Sequence, residues 1–292
     1  MSKVKIRYDK IISGKQLELY LYPTHKNTGK RLSEGPKTDK TNEQMAAEND
    51  RKAAKKFVRI CAANFDENDY ILTCEYKPEY APANEKECHK DIKNYMERVR
   101  YHRLKKGLSN KNFKYCFYIH CETYKSGIKK GQPHYHFHGF ITADGMSTKE
   151  LKRLWKFGTK GKIEHYDPES YEPDEFAYYA ASGGTNTRNH IEKGSRKYVH
   201  SKNCKPPKVE PKKDAKLNKE KLESIAKNRA NDKKYWEEKY PTYRYVRMDP
   251  NYNSYNGYYY VTVIMYKKTD KDSYYERSRQ NAKPNLTYAK LY

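Results

Sequence analysis

The chain contains no C-x-x-C pair, no run of eighteen apolar residues and no internal repeat, and each absence removes a class of protein. Without paired cysteines, Cys61, Cys74, Cys88, Cys116, Cys121 and Cys204 read as reduced thiols, and neither a zinc knuckle nor a thioredoxin-like centre is indicated. Without a long apolar run no membrane-spanning helix is expected, and Met1-Ser2-Lys3-Val4-Lys5 lacks the apolar stretch of a secretory signal. A cytoplasmic protein with no membrane partner is the expectation. Apolar residues are scarce too, at 36%, so one core of moderate size must draw on the 31 tyrosines and on short aliphatic strands. Acidic residues number 37 against 61 Lys plus Arg, a formal charge of +24 that favours a polyanionic partner, nucleic acid first.

Along the chain, residues 3–8 and 16–22 alternate around Ser13-Gly14 and predict a small hairpin, followed by a basic Lys/Gly/Pro/Thr-rich loop over 25–40. Thr41 and Gln44 have capping-box spacing, and Ala46, Ala47, Ala53, Ala54, Phe57, Val58 and Ile60 predict a helix ending near Ala63. The β-branched and aromatic run from Tyr70 to Tyr76 predicts an interior strand stopped by Lys77-Pro78. Cys88, Ile92, Tyr95, Met96, Val99 and Leu104 recur at helical spacing up to Gly107. Extended segments at Tyr115–Glu122 and Pro133–Ile141, joined by a basic turn, predict an antiparallel hairpin. Ser147 and Glu150 open a short helix bearing Leu151, Leu154 and Trp155, a strand follows near Lys162–Tyr166, and Pro173 starts a helix over Asp174–Ser182 that carries Tyr178 and Tyr179. Residues 205–216 suit a linker, Leu217–Glu238 a charged helix, and a Tyr-rich hairpin turns at Asn256-Gly257. The domain reading is 1–54 for the hairpin, loop and leading helix, 55–208 for the principal domain, 209–268 for a helix and hairpin extension, and 269–292 for a disordered tail.

The chemistry concentrates on one strand. His134, His136 and His138 share a face because side chains alternate, and that face cannot be plain apolar core. Two imidazoles separated by one residue can hold one divalent cation, and a hard oxygen ligand beside them would suit Mn²⁺ or Mg²⁺. Glu122 lies on the preceding strand, on the face shared by Cys116, Tyr118 and His120, where hairpin pairing would bring it within reach. It is the candidate third ligand, with His120 as a further candidate and His136 with His138 as an alternative imidazole pair. Tyr178 and Tyr179 are candidate nucleophiles. A phenol needs help from a cation on the phosphate and from basic neighbours, and Arg188, Lys193, Arg196, Lys197 and Lys202 follow in the chain as candidate contacts to a DNA backbone. The same two tyrosines also read as ordinary members of a Tyr-rich chain.

Taken in order, these pieces resemble the three motifs of HUH rolling-circle replication initiators: Ile71-Leu72-Thr73-Cys74-Glu75-Tyr76 is similar to the first, Gly131-Gln132-Pro133-His134-Tyr135-His136 to the second, and the Tyr178-Tyr179 helix stands in the place of the third. The likeness is to replication-associated proteins of phages and mobile elements of the filamentous-phage gene II type. It extends to Asn64-Phe65, to Asp69 with Leu72-Thr73, to Leu154-Trp155 with Gly158, and to Arg196-Lys197-Tyr198 with Ser201-Lys202-Asn203 and Pro206, covering residues 55–208. The resemblance implies an α+β fold with a five-stranded antiparallel sheet and flanking helices. It also implies one cation held by His134, His136 and Glu122, and tyrosine attack on single-stranded or hairpin origin DNA. The products would be a 5′-phosphotyrosine link and a free 3′-OH. Tyr179, nearer the helix end, is the chosen nucleophile over Tyr178. Two departures stand out: the usual Tyr-x-x-Lys lysine is replaced by Ser182 after Tyr179 and by Ala181 after Tyr178, and His138 occupies a position usually apolar. A relaxase or single-strand transposase would use the same chemistry, and a non-catalytic DNA-binding relative would keep fold and charge alone. Residues beyond 208 would add DNA grip or bind a host helicase or polymerase.

Overall fold

The computed structural model describes residues 4–24, 41–127, 129–158, 162–166, 196–211, 213–254 and 256–268. In chain order these form β1 (Lys5–Ser13), β2 (Gln16–Thr24), α1 (Asn42–Asn64), β3 (Tyr70–Glu75), a 3-10 turn (Pro78–Tyr80), α2 (Glu85–Lys105), β4 (Tyr115–Thr123) and β5 (Pro133–Ile141). There follow α3 (Thr148–Leu154), β6 (Lys162–His165), β7 (Tyr198–His200), the two-residue strands β8 (Lys208–Val209) and β9 (Lys213–Asp214), α4 (Lys219–Asn228), α5 (Lys233–Lys239), β10 (Tyr243–Asn253) and β11 (Tyr258–Lys267). The class is α+β. One sheet has the order β6-β3-β5-β4-β7; the other runs β10-β11-β2-β1-β8, with β9 also paired to β1.

Two units result, one of residues 1–11, 15–26 and 209–292, the other of 12–14 and 27–208. This differs from the division expected from sequence. The N-terminal hairpin does not group with α1: β2 pairs antiparallel with β11, Leu19 opposite Val263 and Leu21 opposite Val261. Two hairpins from opposite ends of the chain thereby complete one sheet that neither could form alone, since an isolated two-stranded ribbon is marginal in water. The expected linker over 205–216 supplies β8 and β9, with Arg7 opposite Asp214 and Tyr8 opposite Lys213. The single helix expected over Leu217–Glu238 is two, because Asp232 caps a new start by accepting from Tyr235 N at 3.0 Å. The Asp174–Ser182 helix, the 25–40 loop and the tail from 269 lie outside the described residues.

In the unit holding the five-stranded sheet, α1 opens on the expected capping box, Gln44 N donating to Thr41 Oγ1 at 3.2 Å and Thr41 N to Gln44 Oε1 at 3.0 Å. Ser147 and Glu150 do the same for α3. Helix α2 starts where Asn84 accepts from Glu87 N, and it buries Cys88, Ile92, Tyr95, Met96 and Val99. These pack with Leu72, Cys74, Phe117, Ile119, Phe137, Ile141 and Trp155 in the main core. Leu104, expected on that stripe, is 60% exposed; the next inward position belongs to Arg103, fully buried. Its guanidinium is satisfied by Asn110 Oδ1, Ser109 O, and the carbonyl and carboxylate of Asp144, which is how a buried cation is tolerated there. On the opposite face of the sheet, Phe57, Val58, Cys61 and Phe65 cover Ile71, Cys116, Tyr118 and Phe140. Among the described residues, which include all six cysteines, there is no disulfide. No helix among them is long and apolar enough to cross a membrane.

Candidate functional site

β5 is the middle strand of its sheet, and its histidines meet partners on both sides. Toward β4, His134 lies opposite Glu122, His136 opposite His120 and His138 opposite Tyr118. Toward β3, His136 lies opposite Glu75 and His138 opposite Thr73. Directly opposed residues share a face, so His120, Glu122, His134, His136, His138, Thr73 and Glu75 form one polar surface on three adjacent strands. Burial grades along it. His120, His136 and His138 are buried, His134 and Glu122 half-buried, and Glu75 exposed.

The imidazoles are packed against one another. Ring centroids are 5.2 Å apart for His120 and His136, which stack, 4.9 Å for His136 and His138, and 5.4 Å for His134 and His136. Burial, reinforced by the neighbouring imidazoles of His120 and His134, pushes His136 down to about 3. Burial likewise holds His138 well below the usual histidine range, with His136 and His120 adding to the effect. Both are therefore neutral at physiological pH, the state in which an imidazole nitrogen has a lone pair to offer. His138 Nδ1 is 2.7 Å from Thr73 Oγ1. His136 Nδ1 is buried and, among the described residues, finds no hydrogen-bond partner. An orphaned polar atom of that kind costs about 1–3 kcal/mol, which a ligand would recover.

Glu75 was visible in the sequence only as part of a strand motif. Its main chain is held firmly: Trp155 Nε1 donates to Glu75 O at 3.0 Å, and Gly158 lies so close that a Cβ there would stand 2.0 Å from the same oxygen. The Leu154-Trp155 and Gly158 pattern thus acts as a clamp on the end of β3, setting Glu75 beside His136. Tyr124 was also missed. One residue beyond β4, it keeps the hairpin pairing through Tyr124 N to Gln132 O (3.0 Å) and Gly131 N to Tyr124 O (2.9 Å), and its ring packs 4.4 Å from that of His134. Its hydroxyl is buried and, like His136 Nδ1, has no partner among the described residues.

The remaining expected site residues divide. Tyr178, Tyr179, Arg188 and Lys193 lie outside the described residues. Lys197 is ion-paired with Asp50, and its carbonyl accepts from Ile119 N at 2.9 Å, so the chain enters β7 at the level of the buried histidines. Arg196 is exposed just before it, its carbonyl 3.0 Å from His89 Nε2. Lys202 is exposed but follows Ser201, whose N–H donates to Tyr115 O at the far end of β4. Tyr115 is five residues from His120, roughly 17 Å along a strand, so Lys202 sits away from the histidines.

The donor chemistry, neutral imidazoles with carboxylates on both flanking strands, fits a divalent cation. Among the described residues, no three His, Cys, Asp or Glu side chains are gathered closely enough to hold one. Comparison with known proteins finds no family model, no curated protein and no solved structure that matches the chain.

Proposed function

We propose that this chain is a metal-dependent, tyrosine-using single-strand DNA nickase of the HUH rolling-circle initiator kind. One observation carries the reading: an unpartnered, buried His136 Nδ1 on the middle strand of a five-stranded antiparallel sheet, between His134 and His138 and flanked by acidic strand ends at Glu122 and Glu75. His134 and His136 are the preferred imidazole pair, since His138 is engaged by Thr73. Glu122, opposite His134, is the preferred oxygen ligand, and Glu75 faces the pair from the other side. A bound Mn²⁺ or Mg²⁺ would polarise the scissile phosphate. The phenol oxygen of Tyr179, or of Tyr178, attacks phosphorus; the bond from phosphorus to the 3′ oxygen breaks, the 5′ phosphate passes to the tyrosine, and a proton completes the 3′-OH. The formal charge of +24 supports a DNA substrate, with Arg196 the exposed cation nearest the histidine level.

A second reading, a DNA-binding relative without chemistry, is favoured by the lack of three converging donors among the described residues and by the missing lysine after the tyrosines. Incubation with end-labelled single-stranded DNA and Mn²⁺ separates the two. A nickase yields a covalent adduct that survives denaturation and disappears in Tyr179→Phe or in Tyr178→Phe; absence of any adduct across origin-like hairpins leaves the binding protein.

A further inference from the structure

We propose that Tyr124 contacts the substrate, its phenol donating a hydrogen bond to a non-bridging phosphate oxygen of the bound single strand. This deepens the nickase reading and rests on its placing DNA at the histidine face. Two residues past Glu122 and on the same side of the hairpin, Tyr124 stands at the half-open end of the polar surface, beyond the buried histidines. Its ring lies against His134 at 4.4 Å, which fixes where the hydroxyl can go. That hydroxyl is buried yet unpartnered among the described residues, as is His136 Nδ1 two positions from His134. Two orphaned polar atoms on either side of His134 are unusual in a face otherwise paired, because buried polar groups nearly always find partners. They differ in kind. His136 offers a lone pair, suited to a cation, whereas a phenol is protonated at neutral pH and suits an anionic oxygen. A phosphodiester beside a cation presents that oxygen, and the hydrogen bond would be of the charge-assisted class.

The test measures binding in EDTA, so that it does not depend on turnover. Fluorescein-labelled single-stranded oligonucleotide is titrated with the full chain and with Tyr124→Phe, which keeps the ring on His134 and removes only the hydroxyl; Tyr101→Phe, on an exposed α2 position, is the control. The expected result is about tenfold weaker binding for Tyr124→Phe with the salt slope unchanged, since a hydrogen bond and no counterion is lost. Equal affinities overturn the proposal, as does an adduct mapped by mass spectrometry to Tyr124 itself, which would make it the nucleophile. If the tenfold difference holds while the wild-type chain gives no adduct with Mn²⁺, the contact stands and the nickase reading fails.

Discussion

The two faces of the five-stranded sheet follow different rules along the same strands. One face is apolar from end to end: Tyr70, Leu72 and Cys74 of β3, Phe117, Ile119 and Cys121 of β4, and Tyr135, Phe137 and Ile141 of β5 all join one core. The other is divided. Its first half, Ile71, Cys116, Tyr118 and Phe140, is covered by α1, and its second half turns to Thr73, Glu75, His120, Glu122, His134, His136 and His138. An apolar layer that runs the full length of a strand makes a rigid support, and polar residues at the end of the opposite layer inherit that rigidity. Candidate catalytic groups are therefore mounted on packed strands, which hold geometry better than loops do.

The sharpest test of this division pairs His136 with its neighbour Phe137. His136→Ala should lower nicking by about a thousandfold or more, the scale expected when an interaction made to the reacting phosphate is lost, while leaving DNA binding in EDTA within a few-fold. Rate constants for adduct formation at saturating DNA check this, and nicking within tenfold of wild type removes His136 from the site. Phe137→Ala acts through the other face. Its ring lies 5.3 Å from both Phe117 and Trp155 and is fully buried, so truncation should cost about 3–5 kcal/mol of folding stability by urea denaturation. A loss below about 1 kcal/mol would mean that the apolar layer is not the support described.

Much of this layout was legible in the sequence, and the rest failed for identifiable reasons. The capping boxes at Thr41 and Ser147 are local, so both helix starts were found. The β4–β5 hairpin is also local, and alternation was enough to set Glu122 across from His134. Glu75 was invisible as a site residue because its place depends on β3 pairing with β5, some sixty residues later, and on which side of β5 it takes. The joining of β2 to β11 was missed for the same reason, across nearly the whole chain. Arg103 shows a different failure. Helical spacing marked the inward stripe, but hydrophobicity favoured Leu104, while hydrogen bonds from a later loop decided for the arginine.

Acidification probes the same division through protons. His136 is held neutral in the folded chain down to about 3, while in the unfolded chain it takes up a proton near 6.5. The unfolded state thus binds more protons below that value, and stability is lost as pH falls through the window from 6.5 toward 3. Linkage puts the loss at about 2–3 kcal/mol between pH 6.5 and 4.5 from this residue alone. Asp69 works in the other direction: burial raises it to about 6, so its contribution is a gain on acidification between about 6 and 4, smaller because the group is only partly buried. Urea midpoints at pH 7 and 4.5 should show His136→Gln losing markedly less than wild type. Parallel losses would place the acid sensitivity elsewhere.

The smallest expected effect discriminates between the two imidazole pairs. Thr73→Val keeps a β-branched side chain on β3 and removes the hydroxyl that lies 2.7 Å from His138 Nδ1, so it should cost about 1–2 kcal/mol of stability and little else. If His138 is an anchor that holds the middle strand's ring stack in place, nicking in Thr73→Val stays within a few-fold of wild type at a temperature where the variant is folded. If His136 and His138 form the working pair, Thr73 orients one of its members, and losing the hydroxyl should depress nicking by tenfold or more with the stability cost unchanged. The outcome decides where along the divided face the apolar support ends and the reacting surface begins.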